Sequence, residues 1–228
     1  MSETSTEPGP GELPIESALE ALTPLLNELW TQFAGLEIEG RREVRILFVS
    51  PRHEAGTTTL ASCSALGLAR HMGEAVGLVE MNLFTPAMAS YLGLPPAPGI
   101  TDVLDGKARP EEAVRNSAAD GLHLLSAGTP RLPRPGELAT ERARELIGRV
   151  SRGRRYTLID GPPLLDYPEL HPLLDRADAA VLVLRARGTR KAEAQRAAQI
   201  LEEFRLPLFG SILNRFRSDM PFRMMGPE

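Results

Sequence analysis

The chain has 228 residues, 42% of them hydrophobic and 25% charged, with a formal net charge of −4 at pH 7. This is enough apolar material for one globular domain, or a domain with an arm, and it excludes a fully disordered chain. Cys63 is the only cysteine, which excludes a disulfide framework or a thiolate zinc site and indicates a cytoplasmic protein. No apolar run is long enough to span a bilayer, and the acidic start does not resemble a signal peptide. Only Lys107 and Lys191 are lysines among 26 basic residues.

In chain order, residues 1–13 are predicted to be a disordered leader because they lack an apolar period. Residues 14–40 are predicted to form a helix and a charged hinge, with Pro14 in the first turn and Pro24 as a kink point. The apolar stripe of this helix comprises Ile15, Ala18, Leu19, Leu22, Leu25, Leu26, Leu29, Trp30 and Phe33. Such stripes usually belong to a core. We therefore expect the helix to pack on the main body, with docking to a partner as the alternative.

Residues 41–216 alternate between short apolar runs and amphipathic stretches. Strands are predicted at 44–49, 75–79, 122–125, 157–159, 179–184 and 208–213, and helices at 60–70, 136–150 and 189–205. Continuous apolar strands separated by helices predict an α/β fold with a doubly wound, mostly parallel sheet that is flanked by helices. Ligands of such sheets bind at the carboxyl ends of the strands. Residues 217–228 are predicted to be a flexible tail.

The loop after the first strand, His53–Thr59, is the first candidate for a site. Small residues between a buried strand and a helix favour phosphate, because free backbone N–H groups and the positive end of the helix dipole face the anion. Gly56 and Thr58 match the last glycine and the magnesium-binding hydroxyl of a P-loop, but Thr57 stands where that loop has its lysine. Capping of the helix by the threonines explains the same residues equally well.

Eight segments match, in order and spacing, the motifs of one group of bacterial proteins. The group's loop Pro-Gly-Glu-Gly-Lys-Ser/Thr-Thr is matched in place by His53–Thr59, and its strand end Ile-Asp-Thr-Pro-Pro by Ile159–Pro163. The other matching segments are 79–86, 91–94, 99–106, 125–128, 135–138 and 210–215. On these motifs the chain, from Pro14 to about Phe216, resembles the bacterial tyrosine kinases of capsule and exopolysaccharide biosynthesis, deviant P-loop ATPases related to partition and cell-division ATPases. The resemblance implies a P-loop NTPase fold with an N-terminal helical arm.

The resemblance also implies a set of site residues. The positions that would face a nucleotide are Gly56, Thr57, Thr58, Thr59, Asn214 and Arg215. The positions that would hold magnesium are Thr58, Asp160 and Glu80, of which Glu80 and Asp160 are also the remnants of the catalytic set. The alternative for Glu80 is a solvated carboxylate at a strand end, and the alternative for Asn214 and Arg215 is a strand-end turn.

Several departures from the family pattern weaken phosphotransfer. Thr57 removes a positive charge from beside the outer phosphates. Within His53–Ala55 a Cβ stands where the family has glycine, and the carboxylate of Glu54 is expected to face the anion. Asn82 replaces a carboxylate and cannot act as a base, and Phe84 replaces an arginine. Arg52 is a candidate substitute cation, with a plain surface arginine as the favoured alternative.

Two other features of the family are missing from this sequence. The last tyrosine is Tyr167, so the tail lacks the tyrosine cluster that such kinases phosphorylate. The family's ring-forming helix has a Glu-x-x-Arg-x-x-Arg motif, in which Glu16 is retained while Leu19 and Leu22 occupy the arginine positions. A charged contact has become apolar, so this helix packs on its own domain or meets a more apolar surface.

The resemblance therefore implies a degenerate, kinase-like regulatory or scaffold subunit in exopolysaccharide or capsule biosynthesis. It requires no cofactor, and its remnants would support only weak ATP or ADP binding with magnesium. Its implied partners are the cytoplasmic part of a membrane chain-length-control protein or an active kinase paralogue, with a homo-oligomer as a further arrangement. No nucleic acid and no membrane insertion are expected, only recruitment to the inner face of the membrane by a partner.

Two alternatives remain open. The first is an active tyrosine kinase or ATPase with a non-standard loop. The second is a positioning ATPase of the partition type. The acidic total charge and the lack of a basic amphipathic helix at the carboxyl terminus disfavour the second.

Overall fold

The computed structural model describes residues 14–34, 43–116, 121–134 and 136–215. The predicted leader at 1–13, most of the hinge, Pro135, Phe216 and the predicted tail at 217–228 lie outside the described residues, so the predicted domain boundaries stay predictions. No helix in the described part is long and apolar enough to cross a membrane.

Seven strands form one sheet with the spatial order β3-β4-β2-β5-β1-β6-β7. Their bounds are β1 Val44–Ser50, β2 Val76–Glu80, β3 Val114–Asn116, β4 Leu122–Leu125, β5 Tyr156–Pro163, β6 Ala179–Arg185 and β7 Leu208–Asn214. All pairings between these strands are parallel except that between β3 and β4. The predicted α/β class with a mostly parallel sheet is confirmed.

Helices cover both faces of this sheet. Their bounds are α1 Pro14–Ala34, α2 Thr57–His71, α3 Met88–Tyr91, α4 Ile100–Leu104, α5 Pro110–Ala113, α6 Glu141–Ser151 and α7 Lys191–Glu203, with 3₁₀ segments at Glu137–Ala139 and Pro168–Arg176. The strands alternate between two cores: Ile46 and Phe48 of β1 face the core under α1 and α2, and Leu47 and Val49 face the core under α4, α6 and α7. The single helix predicted at 136–150 is divided, because Thr140 has extended backbone and caps α6 through its hydroxyl.

The N-terminal helix α1 packs on its own domain, as we expected. Six of its apolar side chains are buried: Ile15, Leu19, Leu26, Leu29, Trp30 and Phe33. The Trp30 ring lies so close to Gly67 of α2 that a Cβ there would be 1.9 Å from its Cζ2 atom. The Glu16 carboxylate accepts two hydrogen bonds from the Arg70 guanidinium, at 2.7 and 2.9 Å. The stripe is therefore part of a core except at Leu25, which is 41% exposed, and Glu16 pairs within the chain.

Candidate functional site

A cavity of about 760 Å³ opens at the carboxyl ends of the central strands. This is where a parallel sheet with helices on both faces places its ligands. The cavity is lined by residues at or after the carboxyl ends of β1, β2, β5 and β7, namely Ser50, His53, Glu54, Ala55, Gly56, Thr57, Thr58, Thr59, Asn82, Thr85, Ala87, Tyr91, Gly161, Pro163, Tyr167 and Arg215. The structure thus brings five of the six predicted nucleotide-binding residues to one cavity.

The loop from His53 to Gly56 keeps a left-handed turn without its full set of glycines. Glu54 has φ 62° and Gly56 has φ 90°, and both values lie in the region that favours glycine. A Cβ at Gly56 would lie 2.2 Å from Nδ2 of Asn214, and this Nδ2 donates a hydrogen bond to the Ala55 carbonyl at 2.8 Å. The close approach of Asn214 therefore requires glycine at position 56 and ties the loop to the end of β7.

The threonines after Gly56 form the first turn of α2 and do not cap it. The N-cap is Gly56, which has no side chain to accept a hydrogen bond. The interpretation of this stretch as threonine capping is therefore wrong. Because the first backbone N–H groups of a helix have no partner within the helix, those of Thr57, Thr58 and Thr59 form the polar floor of the cavity.

The lysine position is occupied by Thr57, which is 8% exposed, and no lysine lines the cavity in the described part of the chain. Lys107 pairs with Asp105 at 3.0 Å, and Lys191 begins α7 at the surface. Arg52 forms ion pairs with Asp166 and Glu193. The hydrogen bond to Asp166 raises the pKa of Arg52 above its ordinary value. Because both carboxylates engage its side chain, Arg52 is a surface arginine, which is what the favoured alternative predicted.

The charge of Glu54 is compensated within the protein. Its Oε2 accepts a hydrogen bond from Nη1 of Arg185 at 2.8 Å, and the side chain is 74% exposed. Arg185, on the end of β6, thus offsets the charge of a carboxylate that also lines the cavity, and the expectation that Glu54 faces a bound anion stays a prediction.

Asp160, in β5, is the unusual carboxylate of this region, although it does not line the cavity. It is fully buried, and neither oxygen has a hydrogen-bond partner of good geometry among the described residues. Burial raises the pKa of Asp160 well above its usual range; the Thr58 hydroxyl opposes this rise, and the charge of Glu80 adds to it. An isolated buried carboxylate is costly. Asp160 is therefore either protonated or compensated by a cation, and with the Thr58 hydroxyl it provides hard oxygen ligands of the kind that magnesium prefers.

Glu80 does not have the solvated environment of its alternative interpretation, and its predicted role as a magnesium ligand stays a prediction. It is fully buried, so the solvated alternative is wrong. Oε1 accepts the backbone N–H groups of Ala87 and Met88 at 2.6 and 2.9 Å, and Oε2 accepts that of Ala127 at 3.2 Å. Burial raises the pKa of Glu80 although these three hydrogen bonds lower it. The carboxylate thus joins the end of β2 to the start of α3 and the end of β4.

Asn214 and Arg215 form the strand-end turn that was the alternative for them. The Asn214 Oδ1 accepts the backbone N–H of Arg215 at 2.8 Å, and Arg215 has φ 57°. Arg215 lines the cavity whereas Asn214 lies behind the loop. Within the described residues, no group of three or more His, Cys, Asp or Glu side chains is arranged to hold a metal ion.

An aromatic cluster at the cavity was not predicted from the sequence. Phe84 stacks on Tyr167 with ring centroids 3.8 Å apart, and Nε2 of His53 lies 3.1 Å from the Tyr167 hydroxyl oxygen. The three residues follow β2, β5 and β1, which are adjacent in the sheet. Phe84, at the family's arginine position, was the sequence feature that could have indicated this cluster, because an aromatic residue in a polar loop needs a packing partner.

Comparisons with known proteins agree with this geometry. No protein-family model matches the chain. The tyrosine-protein kinase YwqD of Bacillus subtilis is 29% identical over 184 residues, which are 80% of this chain and 76% of YwqD. The crystal structure of the VpsO kinase domain is 25% identical, with a TM-score of 0.74 over 90% of this chain and 97% of that domain.

A more distant structure has the same fold. The septum site-determining protein MinD of Pyrococcus horikoshii, complexed with Mg-ADP, is 23% identical, with a TM-score of 0.63 over 79% of this chain and 74% of MinD. The resemblance inferred from the sequence is thereby confirmed: the homologues of this chain are bacterial tyrosine kinases, and its fold is that of the P-loop NTPase-like group that includes MinD.

Proposed function

We propose that the chain is a tyrosine-kinase-like regulatory or scaffold subunit in exopolysaccharide or capsule biosynthesis that does not transfer phosphate itself. One observation carries this proposal: Glu54 and Gly56 give the loop a left-handed backbone, yet Thr57 occupies the lysine position, and the one arginine that lines the cavity in the described part of the chain, Arg215, follows β7 and not the loop. A fixed cation beside the outer phosphates contributes several kcal/mol, on the order of 3, to such a transition state. A threonine hydroxyl provides at most one neutral hydrogen bond.

Nucleotide is not required for this role, although part of the site would still hold it weakly. Gly56, Thr57, Thr58 and Thr59 would face the phosphates of ATP or ADP, and Arg215 lies where it would reach the rest of the molecule. Thr58 and Asp160 would hold magnesium, which neutralises phosphate charge when it is bound. Glu80 is excluded from this set in our proposal, because its carboxylate is already engaged by three backbone N–H groups.

The proposed partner is the cytoplasmic part of a membrane chain-length-control protein or an active kinase paralogue. Such a partner would recruit the chain to the inner face of the membrane. The family's charged ring contact is not available on α1, because Leu19 is buried in the chain's own core and Glu16 pairs with Arg70. This burial favours a hetero-complex over a homo-oligomer of the family type.

The second candidate is an active ATP-dependent tyrosine kinase or ATPase with a non-standard loop. The preserved shape of the loop and the unpartnered Asp160 carboxylate support it. On this alternative the missing charge would have to come from Arg215, since Arg52 is engaged by Asp166 and Glu193.

Thermal shift with nucleotide separates the two candidates. We expect the melting temperature of the wild type to move by less than about 1 °C with millimolar ATP or ADP and magnesium, and no hydrolysis. Thr57→Lys should bind nucleotide and raise the melting temperature by several degrees, since ligand that binds only the folded state stabilises it. The double variant Thr57→Lys/Asp160→Asn is the control, and it should lose the magnesium-dependent part of the shift in melting temperature. A wild-type shift of several degrees with slow hydrolysis would overturn the proposal in favour of the active enzyme.

A further inference from the structure

The loop between β1 and α2, residues 51–56, is contacted by side chains from several other elements. We name it the β1–α2 loop. Its backbone costs free energy, because Glu54 has φ 62° although it carries a Cβ. Such a backbone keeps one conformation only when its surroundings determine it. Either a bound anion or contacts within the protein can do so.

Tyr167 provides the first of these contacts, from the segment that follows β5. Its hydroxyl oxygen lies 3.1 Å from Nε2 of His53, and the two rings meet edge to face with centroids 5.3 Å apart. The Tyr167 ring also stacks on Phe84, which follows β2, with centroids 3.8 Å apart. His53 is therefore held by a ring that is itself held by aromatic packing.

Asn214 provides the second contact, from the end of β7. Its Nδ2 donates a hydrogen bond to the Ala55 carbonyl at 2.8 Å. The amide group is itself oriented, because its Oδ1 accepts the backbone N–H of Arg215 at 2.8 Å. Ala55 is 3% exposed and belongs to the core under α1 and α2. The carboxyl-terminal half of the loop is therefore anchored by a hydrogen bond and by burial.

Ion pairs engage the two charged residues of the loop. Arg52 pairs with Asp166, and with Glu193 of α7 at 3.1 Å. Glu54 pairs with Arg185 of β6 at 2.8 Å. The side chains of Arg52 and Glu54 are 52% and 74% exposed, so each pair contributes little to stability. The pairs orient the loop, whereas its fixation depends on the aromatic contacts and on the amide hydrogen bond.

These contacts reach every residue of the loop from 52 to 55. They come from the segments after β2 and β5, from the ends of β6 and β7, and from α7. All of the partners are groups of the protein itself. The conformational entropy of the loop is therefore lost when the chain folds and not when a ligand binds.

We propose that the β1–α2 loop is ordered by the protein's own contacts without any ligand, with Tyr167 and Asn214 as its positioning residues. A ligand shifts a conformation only by its different affinities for two states. A loop that is ordered beforehand has no disordered state from which a nucleotide could shift it, so it cannot act as an order–disorder switch. This inference does not depend on the proposed function, because it concerns the order of the loop and not phosphate transfer.

The test measures the order of the loop by ¹⁵N relaxation NMR on the full-length chain without nucleotide, phosphate or metal. The amide order parameters of His53, Glu54 and Ala55 should be about 0.8 or higher, as in rigid backbone, whereas flexible loops fall below about 0.6. Low values in the ligand-free wild type would overturn the proposal. This measurement does not depend on how any variant folds.

Tyr167→Leu and Asn214→Ala remove the two positioning contacts one at a time. In each variant the order parameters of the loop should fall below about 0.6, while those of β1 and α2 stay at their wild-type values. Tyr91→Leu is the matched control, because Tyr91 lines the same cavity but no hydrogen bond or ring contact joins it to the loop among the described residues. It should keep the loop ordered.

The variants also show what would contradict the two assignments. Wild-type loop order in either Tyr167→Leu or Asn214→Ala would overturn the role of that residue. An equal loss of order in Tyr91→Leu, or a loss that extends into β1 and α2, would mean that the variants loosen the domain in general, and it would overturn the positioning role of both residues.

Discussion

At the scale of single residues, the two buried carboxylates at the ends of β2 and β5 show how similar positions acquire different roles. Glu80 and Asp160 are neighbours in the parallel register, and both are fully buried. Glu80 accepts three backbone N–H groups, whereas neither oxygen of Asp160 has a hydrogen-bond partner of good geometry among the described residues. Sequence reasoning predicted both residues as remnants of the catalytic set and as magnesium ligands. It could not separate them, because the donors to Glu80 come from Ala87, Met88 and Ala127.

This difference predicts opposite effects of removing the two carboxylates in the metal-free protein. Glu80→Ala should lower the free energy of unfolding by about 3 kcal/mol or more, since buried N–H groups would lose their acceptor. Asp160→Asn should be neutral or stabilising, because it removes an uncompensated buried acid. Urea denaturation in the presence of EDTA measures both. Equal and small effects would contradict a structural role for the Glu80 carboxylate.

The pKa of Asp160 also gives a direction to the pH dependence of that stabilisation. Because its folded pKa is raised, the folded state keeps a proton that the unfolded state loses, and stability falls as pH rises through this window. Asn does not titrate. The stability gain of Asp160→Asn over the wild type should therefore grow as the pH rises above the ordinary range of a carboxyl pKa, roughly as 1.4 kcal/mol per pH unit at its steepest. A gain that is constant over this range would contradict a raised pKa.

At the scale of elements, long periodic segments were predictable and short ones were not. The stripe of α1 and the apolar runs of β1, β4 and β6 match the structure to within one or two residues. Helices α3, α4 and α5 and the antiparallel strand β3 are three to five residues long, which is too short for an apolar period to develop. Strand β5 continues to Pro163, beyond the predicted end at residue 159, because Gly161 lets the chain pass close to Val49 and Leu47.

The packing of α1 on α2 leads to a prediction for two helical glycines. Gly67→Ala would place a methyl group against the Trp30 ring, so we expect a loss of about 1–3 kcal/mol from overpacking. Gly148→Ala in α6 is the matched control, because a Cβ there meets nothing within 4 Å. Alanine is the better helix former, so this change should stabilise by about 0.5–1 kcal/mol. Two changes of the same sign in thermal or urea denaturation would show that helix propensity, and not contact with Trp30, decides the outcome.

At the scale of the whole molecule, the candidate site is assembled from contacts that no local pattern contains. Asn214 reaches the loop carbonyl of Ala55 from 159 residues away, and His53 meets Tyr167 across 114 residues. The sequence order of motifs located the cavity, since strand ends of a parallel sheet converge on one edge. It did not indicate that Arg52 would pair with Asp166 and Glu193, or Glu54 with Arg185, because these partners belong to no motif.

The position of α1 in the main core leads to a last prediction, about cooperativity. Trp30 is the only tryptophan of the chain and lies at the contact between α1 and α2, so its fluorescence reports on the docking of α1. Six buried side chains and the Glu16–Arg70 pair join α1 to the same core that β1 and β5 enclose. An element with this much buried apolar surface unfolds together with its domain. Urea transitions followed by Trp30 fluorescence and by far-ultraviolet circular dichroism should therefore coincide.

Leu25→Ala, at a site 41% exposed on the same helix, is the control. The free energy of unfolding obtained from either signal should stay within about 0.5 kcal/mol of that of the wild type. If fluorescence changed at a clearly lower urea concentration than circular dichroism, α1 would be a separable arm, free to dock on a partner.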